Sequence, residues 1–195
     1  MDQALSLSNL LSGVIGGILG GLFSMGGVWW QHCLNRGHQR RNEQSLVDGF
    51  LRSVRTEVDT IWKRYIDTAG SPLAALPAGQ PFTSYYPVYQ DYFTFYTGNS
   101  FMISRVKDPE LQRLIVRTYA LAKGLVDSFR MNNEVLQKFE YAESMFRQTN
   151  LPAFQQNMHA HHNALAQYAA YLKSHHADLK DHVERLLRTI DGAVA

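Results

Sequence analysis

The stretch "MHAHHNALAQYAAYLKSHHADLKDHVERLLRTI", residues 158–190, carries the longest regular hydrophobic pattern in the chain. Its apolar and histidine positions alternate by three and four residues through more than four heptads, which places them on one face of an α-helix. These positions are Met158, His162, Leu165, Ala169, Leu172, His176, Leu179, Val183, Leu186 and Ile190. Such regularity is typical of helices packed side by side, so we predict a helix from about Phe154 to Ile190 within a helical bundle.

An earlier segment, from about Glu43 to Ile66, has the same periodicity. Its apolar stripe consists of Val47, Leu51, Val54, Val58, Ile61 and Tyr65. The sequence "TAGSP" follows, with Gly70 as a C-cap and Pro72 beyond it. We therefore predict that the first helix of the bundle ends before Gly70.

A further helix is predicted from "KDPEL" onward. Asp108 is a favourable N-cap, Pro109 suits the first helical position and Glu110 suits the positive end of the helix dipole. The apolar pattern continues to about Phe146 and is broken by "TNLPAF", residues 149–154. No segment has a convincing run of strands. The predicted fold class is all-α, with an antiparallel bundle of three long helices plus a short aromatic-rich helix.

The short helix is expected within the aromatic segment "PFTSYYPVYQDYFTFYTGNSF", residues 81–101. Pro87 can start a helix and Gly98 can end it. The segment is either a lid over the bundle or a contact surface for a partner protein. The residues proposed for such a contact are Tyr85, Tyr89, Tyr92 and Tyr96. Arg and Lys are absent from residues 82–104, so base stacking with nucleic acid is not expected.

The N-terminal region has the character of a membrane anchor. No Asp, Glu, Lys or Arg occurs between Asp2 and Arg36, and Leu10–Trp30 covers 21 residues. As a helix this stretch spans about 32 Å, close to the thickness of the hydrocarbon core. The start "MDQALSLS" lacks the basic residue of a secretory signal. We predict that residues 1–36 form a membrane anchor whose single transmembrane helix is Leu10–Trp30, and that residues 37–195 form the bundle domain.

Small residues cover one face of the predicted membrane helix. They are Gly13, Gly16, Gly17, Gly20, Gly21, Ser24 and Gly27. In lipid, helices associate through close van der Waals contact along small residues, because burial of apolar surface provides no driving force there. The face is about 140° wide at 100° per residue, broader than one dimer contact needs. The sequence therefore predicts self-association, either as a dimer or as a ring with more copies.

Flanking residues predict the orientation of this helix. Trp29 and Trp30 fall where an interfacial aromatic belt is expected, and Arg36, Arg40 and Arg41 follow the span. Positive residues stay on the cytoplasmic side of a membrane. We therefore predict a protein of the bacterial inner membrane whose N-terminus lies outside and whose domain lies in the cytoplasm. A single cysteine in the chain excludes an internal disulfide and fits a reducing compartment.

Histidines are the main candidates for chemistry. His175, Asp178 and His182 lie at i, i+3 and i+7 on one side of the last helix and form a weak, incomplete metal face. His162 and His176 occupy core positions, where a histidine is either neutral and hydrogen-bonded or a proton switch. The chain has no His-Glu-x-x-His motif and no phosphate loop. We therefore predict no catalytic residue and no cofactor.

Three functions remain open from the sequence. The first is a membrane-anchored, self-associating protein that forms an oligomeric pore or a membrane-perturbing assembly. Its layout is similar to that of small single-span effectors of bacterial antiviral systems, although no motif identifies a family. The second is a membrane tether or scaffold that presents the bundle to a soluble protein, and the third and weakest is a metal-dependent enzyme. The expected partners are the bilayer and identical copies; a net charge of +2 gives no reason to expect nucleic acid.

Overall fold

The computed structural model describes residues 41–88 and 92–194. Helix α1 covers residues 41–65 and leads through a π-helical turn, Ile66–Gly70, into α2, Ser71–Ala75. The later elements are α3 (Thr94–Asn99), a 3₁₀ helix (Ser100–Arg105), α4 (Pro109–Thr149) and α5 (Pro152–Ala193). The described ranges contain no strand, which confirms the all-α prediction. Residues 47–194 belong to one compact unit, and the other unit is described only at residues 41–46, which are helical.

Helix α5 runs antiparallel to both other long helices. It follows α4 after a two-residue link in which Asn150 adopts φ 53°, a left-handed conformation that asparagine tolerates better than most residues. Along α1, Arg55 pairs with Asp191, and ten residues later Tyr65 meets His176. The residue numbers fall along α5 as they rise along α1. The predicted antiparallel packing is confirmed for these pairs.

Helices α1 and α4, by contrast, run in the same direction. Glu57 contacts Tyr119, and the ring of Tyr65, eight residues further on, lies 6.0 Å from the ring of Phe129. Residues 76–108 carry the chain back along the bundle before α4 begins. The aromatic residues lie in this return segment. Because the segment brings the chain back before α4 begins, α1 and α4 are parallel, and the prediction of a bundle that is antiparallel throughout is wrong for this pair.

The core lies where α1, α4, α5 and the return segment meet. Its fully buried members come from all three long helices and include Val54, Ile115, Phe129, Leu172 and Leu186. The heptad pattern of α5 is confirmed from Leu165 onward, because its core positions through Ile190 are all buried.

The heptad prediction fails at the other end of α5, where Met158 is half-buried and His162 is exposed. The reason is that α4 and α5 extend past the rest of the bundle as a two-helix hairpin. Two helices without a third leave large side chains along their seam partly open to solvent, although a small residue such as Ala142 is still buried there. His162 therefore lies against Phe139, with ring centroids 6.0 Å apart, while staying open to solvent.

The predicted C-cap at Gly70 is also wrong, although α1 itself ends at residue 65, close to the predicted Ile66. Gly70 has right-handed φ and ψ of −63° and −47°, and the chain remains helical to Ala75. The π-turn shifts the hydrogen-bond pattern just before Pro72, so the missing N–H of Pro72 falls at the start of α2. An L-residue at 70 would also crowd the core, since a Cβ there would lie 2.9 Å from Ile66 Cδ1.

The short aromatic helix is real but later than predicted. Pro87 is not helical, and α3 begins only at Thr94, after Phe93 has adopted a left-handed φ of 71°. Gly98 lies inside the helix, which ends one residue later and continues as the 3₁₀ turn. In the part of the chain that the structure describes, no helix combines the length and hydropathy needed to cross a bilayer. The predicted membrane anchor, residues 1–36 with its helix Leu10–Trp30, lies outside the described residues.

Candidate functional site

The aromatic segment packs into the bundle around Phe129. The ring of Tyr86 lies 4.6 Å from that of Phe129, and the ring of Phe82 lies 5.8 Å from it. Further along, Tyr96 stacks on Tyr119 with centroids 3.8 Å apart. Burial of the aromatic rings contributes apolar surface to a small core. These contacts favour the lid interpretation of the segment.

The tyrosines predicted to contact a partner occupy different environments. Tyr92 and Tyr96 are half-buried, and the Tyr92 hydroxyl donates to the Pro87 carbonyl oxygen over 2.9 Å. Tyr85 is exposed, and its hydroxyl donates to Glu140 Oε2 over 2.6 Å. Tyr89 lies outside the described residues. A partner surface on this segment stays a prediction.

Glu57 of α1 anchors the segment from the opposite side. Its carboxylate accepts hydrogen bonds from the backbone N–H groups of Phe95 and Tyr96, over 2.8 and 3.2 Å, and from the Tyr119 hydroxyl over 2.7 Å. The first two donors are otherwise unpaired groups of the first turn of α3, which has no side-chain cap of its own. Burial, followed by the nearby Glu57 carboxylate, raises the pKa of Tyr119 far above its ordinary value. Tyr119 therefore stays protonated and donates to Glu57.

Two consecutive asparagines of α4 hold the other part of the segment. Asn133 accepts from the Tyr86 N–H over 3.2 Å and donates to the Tyr86 carbonyl over 2.8 Å, so its side chain imitates a backbone partner. Asn132 donates to the Phe82 carbonyl over 3.1 Å, and its buried Oδ1 has no hydrogen-bond partner among the described residues. These bonds satisfy backbone groups that lie in no helix or strand.

His176 is confirmed as a core residue. Its Nδ1 lies 2.8 Å from the Tyr65 hydroxyl, and its ring stacks on Trp62 at 5.8 Å. Burial, and then the positive charge of Lys180, lower the pKa of His176. The ring is therefore neutral at neutral pH, and the interaction with Tyr65 is that of a hydrogen-bonded core histidine. Burial also raises the pKa of Tyr65, so that its hydroxyl stays protonated.

The weak metal candidates do not assemble into a site within the described residues. His182 Nδ1 lies 2.8 Å from the Asp178 carbonyl oxygen, whereas the ring of His175 lies 4.0 Å from that of Tyr171. No group of three histidine, cysteine or carboxylate side chains in the described ranges could hold a metal ion. The proposed metal face on α5 is therefore not supported by the positions of its side chains.

The residues predicted to act in the membrane lie outside the described part, with one exception. They are Gly13, Gly16, Gly17, Gly20, Gly21, Ser24, Gly27, Trp29, Trp30, Arg36 and Arg40. Arg41 is described, and it is helical and exposed. The predicted association face and the membrane interface therefore stay predictions.

Glu57, Asn132 and Asn133 were not recognised from the sequence. A signal existed for Asn132, since it lies three residues after Phe129 and four before Leu136, in the apolar stripe of α4. A polar residue at such a core position requires a hydrogen-bond partner. Glu57 gave no comparable signal, because carboxylates beside an apolar stripe are usually solvated.

Glu57, Asn132 and Asn133 thus hold the aromatic segment in place. Glu57 and Asn133 each bind the aromatic segment, and Tyr65 binds His176 of α5. The chain matches no family model, no curated protein and no solved structure.

Proposed function

We propose that the chain is a single-span membrane protein that self-associates and forms an oligomeric pore or membrane-perturbing assembly. The observation that carries this proposal is the stretch Leu10–Trp30, which contains no charged residue and concentrates glycine on one helical face. Residues 37–195 are then a cytoplasmic domain that controls assembly. A role in bacterial antiviral defence is part of the proposal through similarity of layout alone.

The described domain offers a surface that is compatible with side-by-side copies. From Pro152 to Leu172, half of α5 contains no Asp, Glu, Lys or Arg, although many of its residues are exposed. Ala160, Gln167 and Ala170 are among the exposed positions, and Tyr171 is 51% exposed. Contact between identical copies places like residues close together, so a charge-free surface avoids repulsion. Depletion of charge with retention of aromatic residues is typical of the centre of protein interfaces.

The first test measures the mass of the full chain in mild detergent. The native chain is expected to be oligomeric, and Gly17→Leu and Gly20→Leu are expected to convert it to monomer by blocking close approach. Ile18→Leu, on the bulky side of the same helix, is the matched control and should leave the mass unchanged. A monomeric native chain, or glycine variants that keep the native mass, would refute self-association through this face.

The second test separates a pore from a simple assembly. Vesicles that contain the native chain are expected to leak an entrapped dye, and those with Gly17→Leu are expected to retain it. An oligomer that releases no dye and leaves cells polarised on overproduction would contradict the pore.

A membrane tether is the alternative, favoured by two exposed rings on the return segment. Tyr85 and Phe101 are 48% and 64% exposed, as is common for residues that bind another protein. A tether should keep its activity in the cell when residues 10–30 are replaced by polyleucine, whereas a glycine-dependent pore should lose it. That replacement decides between the two functions.

A further inference from the structure

The bundle contains a cavity whose walls are mostly apolar. Its volume is about 40 Å³, and its walls come from α1, the aromatic segment, α4 and α5. The wall residues used below are Trp62, Phe93, Ala122, Val126 and Leu179. A cavity needs roughly 10–15 Å³ to hold one water molecule, so this one has room for a molecule of about three non-hydrogen atoms.

Four of the five hydroxyl groups that line the cavity form hydrogen bonds to other protein groups, among them that of Tyr92, which donates to the Pro87 carbonyl oxygen over 2.9 Å. Tyr65 is bonded to His176, Tyr119 donates to Glu57, and Thr118 donates to the Leu114 carbonyl over 2.7 Å. A water molecule is stable in a cavity only when it finds two or more polar partners. Because most of the walls are apolar, an occupant without hydrogen-bonding groups fits them better than a polar ligand, which would give up hydrogen bonds to water.

One wall is formed by a residue in a strained conformation. Phe93 has φ 71°, is 6% exposed and packs edge-on against Tyr119 at 5.4 Å. A left-handed φ is unfavourable for an aromatic residue and persists only where the surroundings hold it. The bonds from Phe95 and Tyr96 to Glu57 supply that constraint directly after Phe93. Strained residues of this kind are frequent where a protein encloses a ligand.

We propose that this cavity is a binding site for a small apolar ligand, a hydrocarbon-like molecule of about three carbon-sized atoms. Binding replaces empty space by van der Waals contact with aromatic and aliphatic side chains, which is favourable without any hydrogen bond. The site is independent of the membrane assembly, since every wall residue lies within the unit of residues 47–194.

The test uses the full chain in detergent with ¹³C-labelled methyl groups, titrated with xenon and then with cyclopropane. Saturable shifts are expected for wall methyls such as those of Leu125, Leu179 and Val183. The methyls of Leu151, which is 51% exposed on the hairpin, serve as the internal reference and should change only linearly.

Ala122→Leu, which adds three carbon atoms to the wall, is expected to abolish the saturable shifts. Ala120→Leu is the matched control, since residue 120 is exposed on the same helix, and it should bind both probes like the native chain. Should Ala122→Leu lose the native circular dichroism spectrum, Val126→Ile provides the second filled variant and is expected to weaken binding at least fivefold. Linear shifts in the native chain, or saturable shifts that persist unchanged in a folded filled variant, would overturn the proposal.

Discussion

Glu57→Ala is expected to destabilise the domain more than the replacement of any other single carboxylate on the surface. The reason is that the Glu57 side chain accepts three hydrogen bonds, from the N–H groups of Phe95 and Tyr96 and from the Tyr119 hydroxyl. Tyr119 is 1% exposed, so removal of the carboxylate leaves a buried hydroxyl unpaired, at a cost of roughly 1–3 kcal/mol. The N–H groups of Phe95 and Tyr96 lose the cap of α3, which costs about 1 kcal/mol. The sum is a loss of about 2–4 kcal/mol in the free energy of unfolding, or about 4–16 °C in Tm.

The assay is thermal and urea unfolding of the full chain in detergent, followed by circular dichroism. Asp59→Ala is the matched control, two residues away on α1, where the carboxylate accepts only from Lys63 in a helical pair. That change should cost less than about 0.5 kcal/mol. Tyr119→Phe alone should cost about 1 kcal/mol, and the double variant Glu57→Ala, Tyr119→Phe should fall short of additivity by at least about 0.5 kcal/mol. Additive effects, or a Glu57→Ala variant as stable as Asp59→Ala, would show that the carboxylate does not hold the aromatic segment.

Four other substitutions test the packing and the hydrogen bonding of the core. Gly70→Ala should destabilise by about 1–3 kcal/mol, because its Cβ would lie 3.1 and 3.3 Å from ring atoms of Tyr65 and His176, which are buried and held by their neighbours. Gly124→Ala, with open space around it, should stabilise by about 0.4–1 kcal/mol in the same unfolding assay. The pKa of His176 is lowered in the folded protein, so its contribution to stability is complete above about pH 6.5 and is lost as the pH falls through its folded-state pKa. The free energy of unfolding, measured across this range, should therefore fall on acidification. The fall should be less steep in His176→Gln. Asn133→Leu should cost about 2–4 kcal/mol by leaving a buried backbone N–H and carbonyl unpaired, and a variant as stable as the native chain would contradict the role of that amide.

The spacing of apolar residues along each helix predicted most of the buried positions in this chain. It did not predict where that pattern stops being buried. The core positions of α5 were readable from Leu165 to Ile190 because a helix that packs on two neighbours must repeat its apolar face. His162 continues the same spacing but is exposed, since the spacing does not record how far the neighbouring helices extend. The N-cap at Asp108 was equally readable, and the structure shows its side chain accepting from Glu110 N–H over 2.9 Å.

The residues around the aromatic segment illustrate the opposite case. Glu57 is separated from Phe95 and Tyr96 by 38 and 39 residues, so no local pattern could pair them. The same applies to the parallel course of α1 and α4, which depends on the whole of residues 76–108 returning along the bundle.

The sequence by itself determined the helical class, the approximate extent of the long helices and the prediction of a glycine-faced membrane segment, since these follow from local spacing and composition. Tertiary structure alone decided the direction of α1 relative to α4, the partners of Glu57 and Asn133, the exposure of His162 and the apolar cavity. The physical reason is that periodicity arises from the geometry of one helix, whereas burial and hydrogen bonding between distant residues depend on how all the helices pack together.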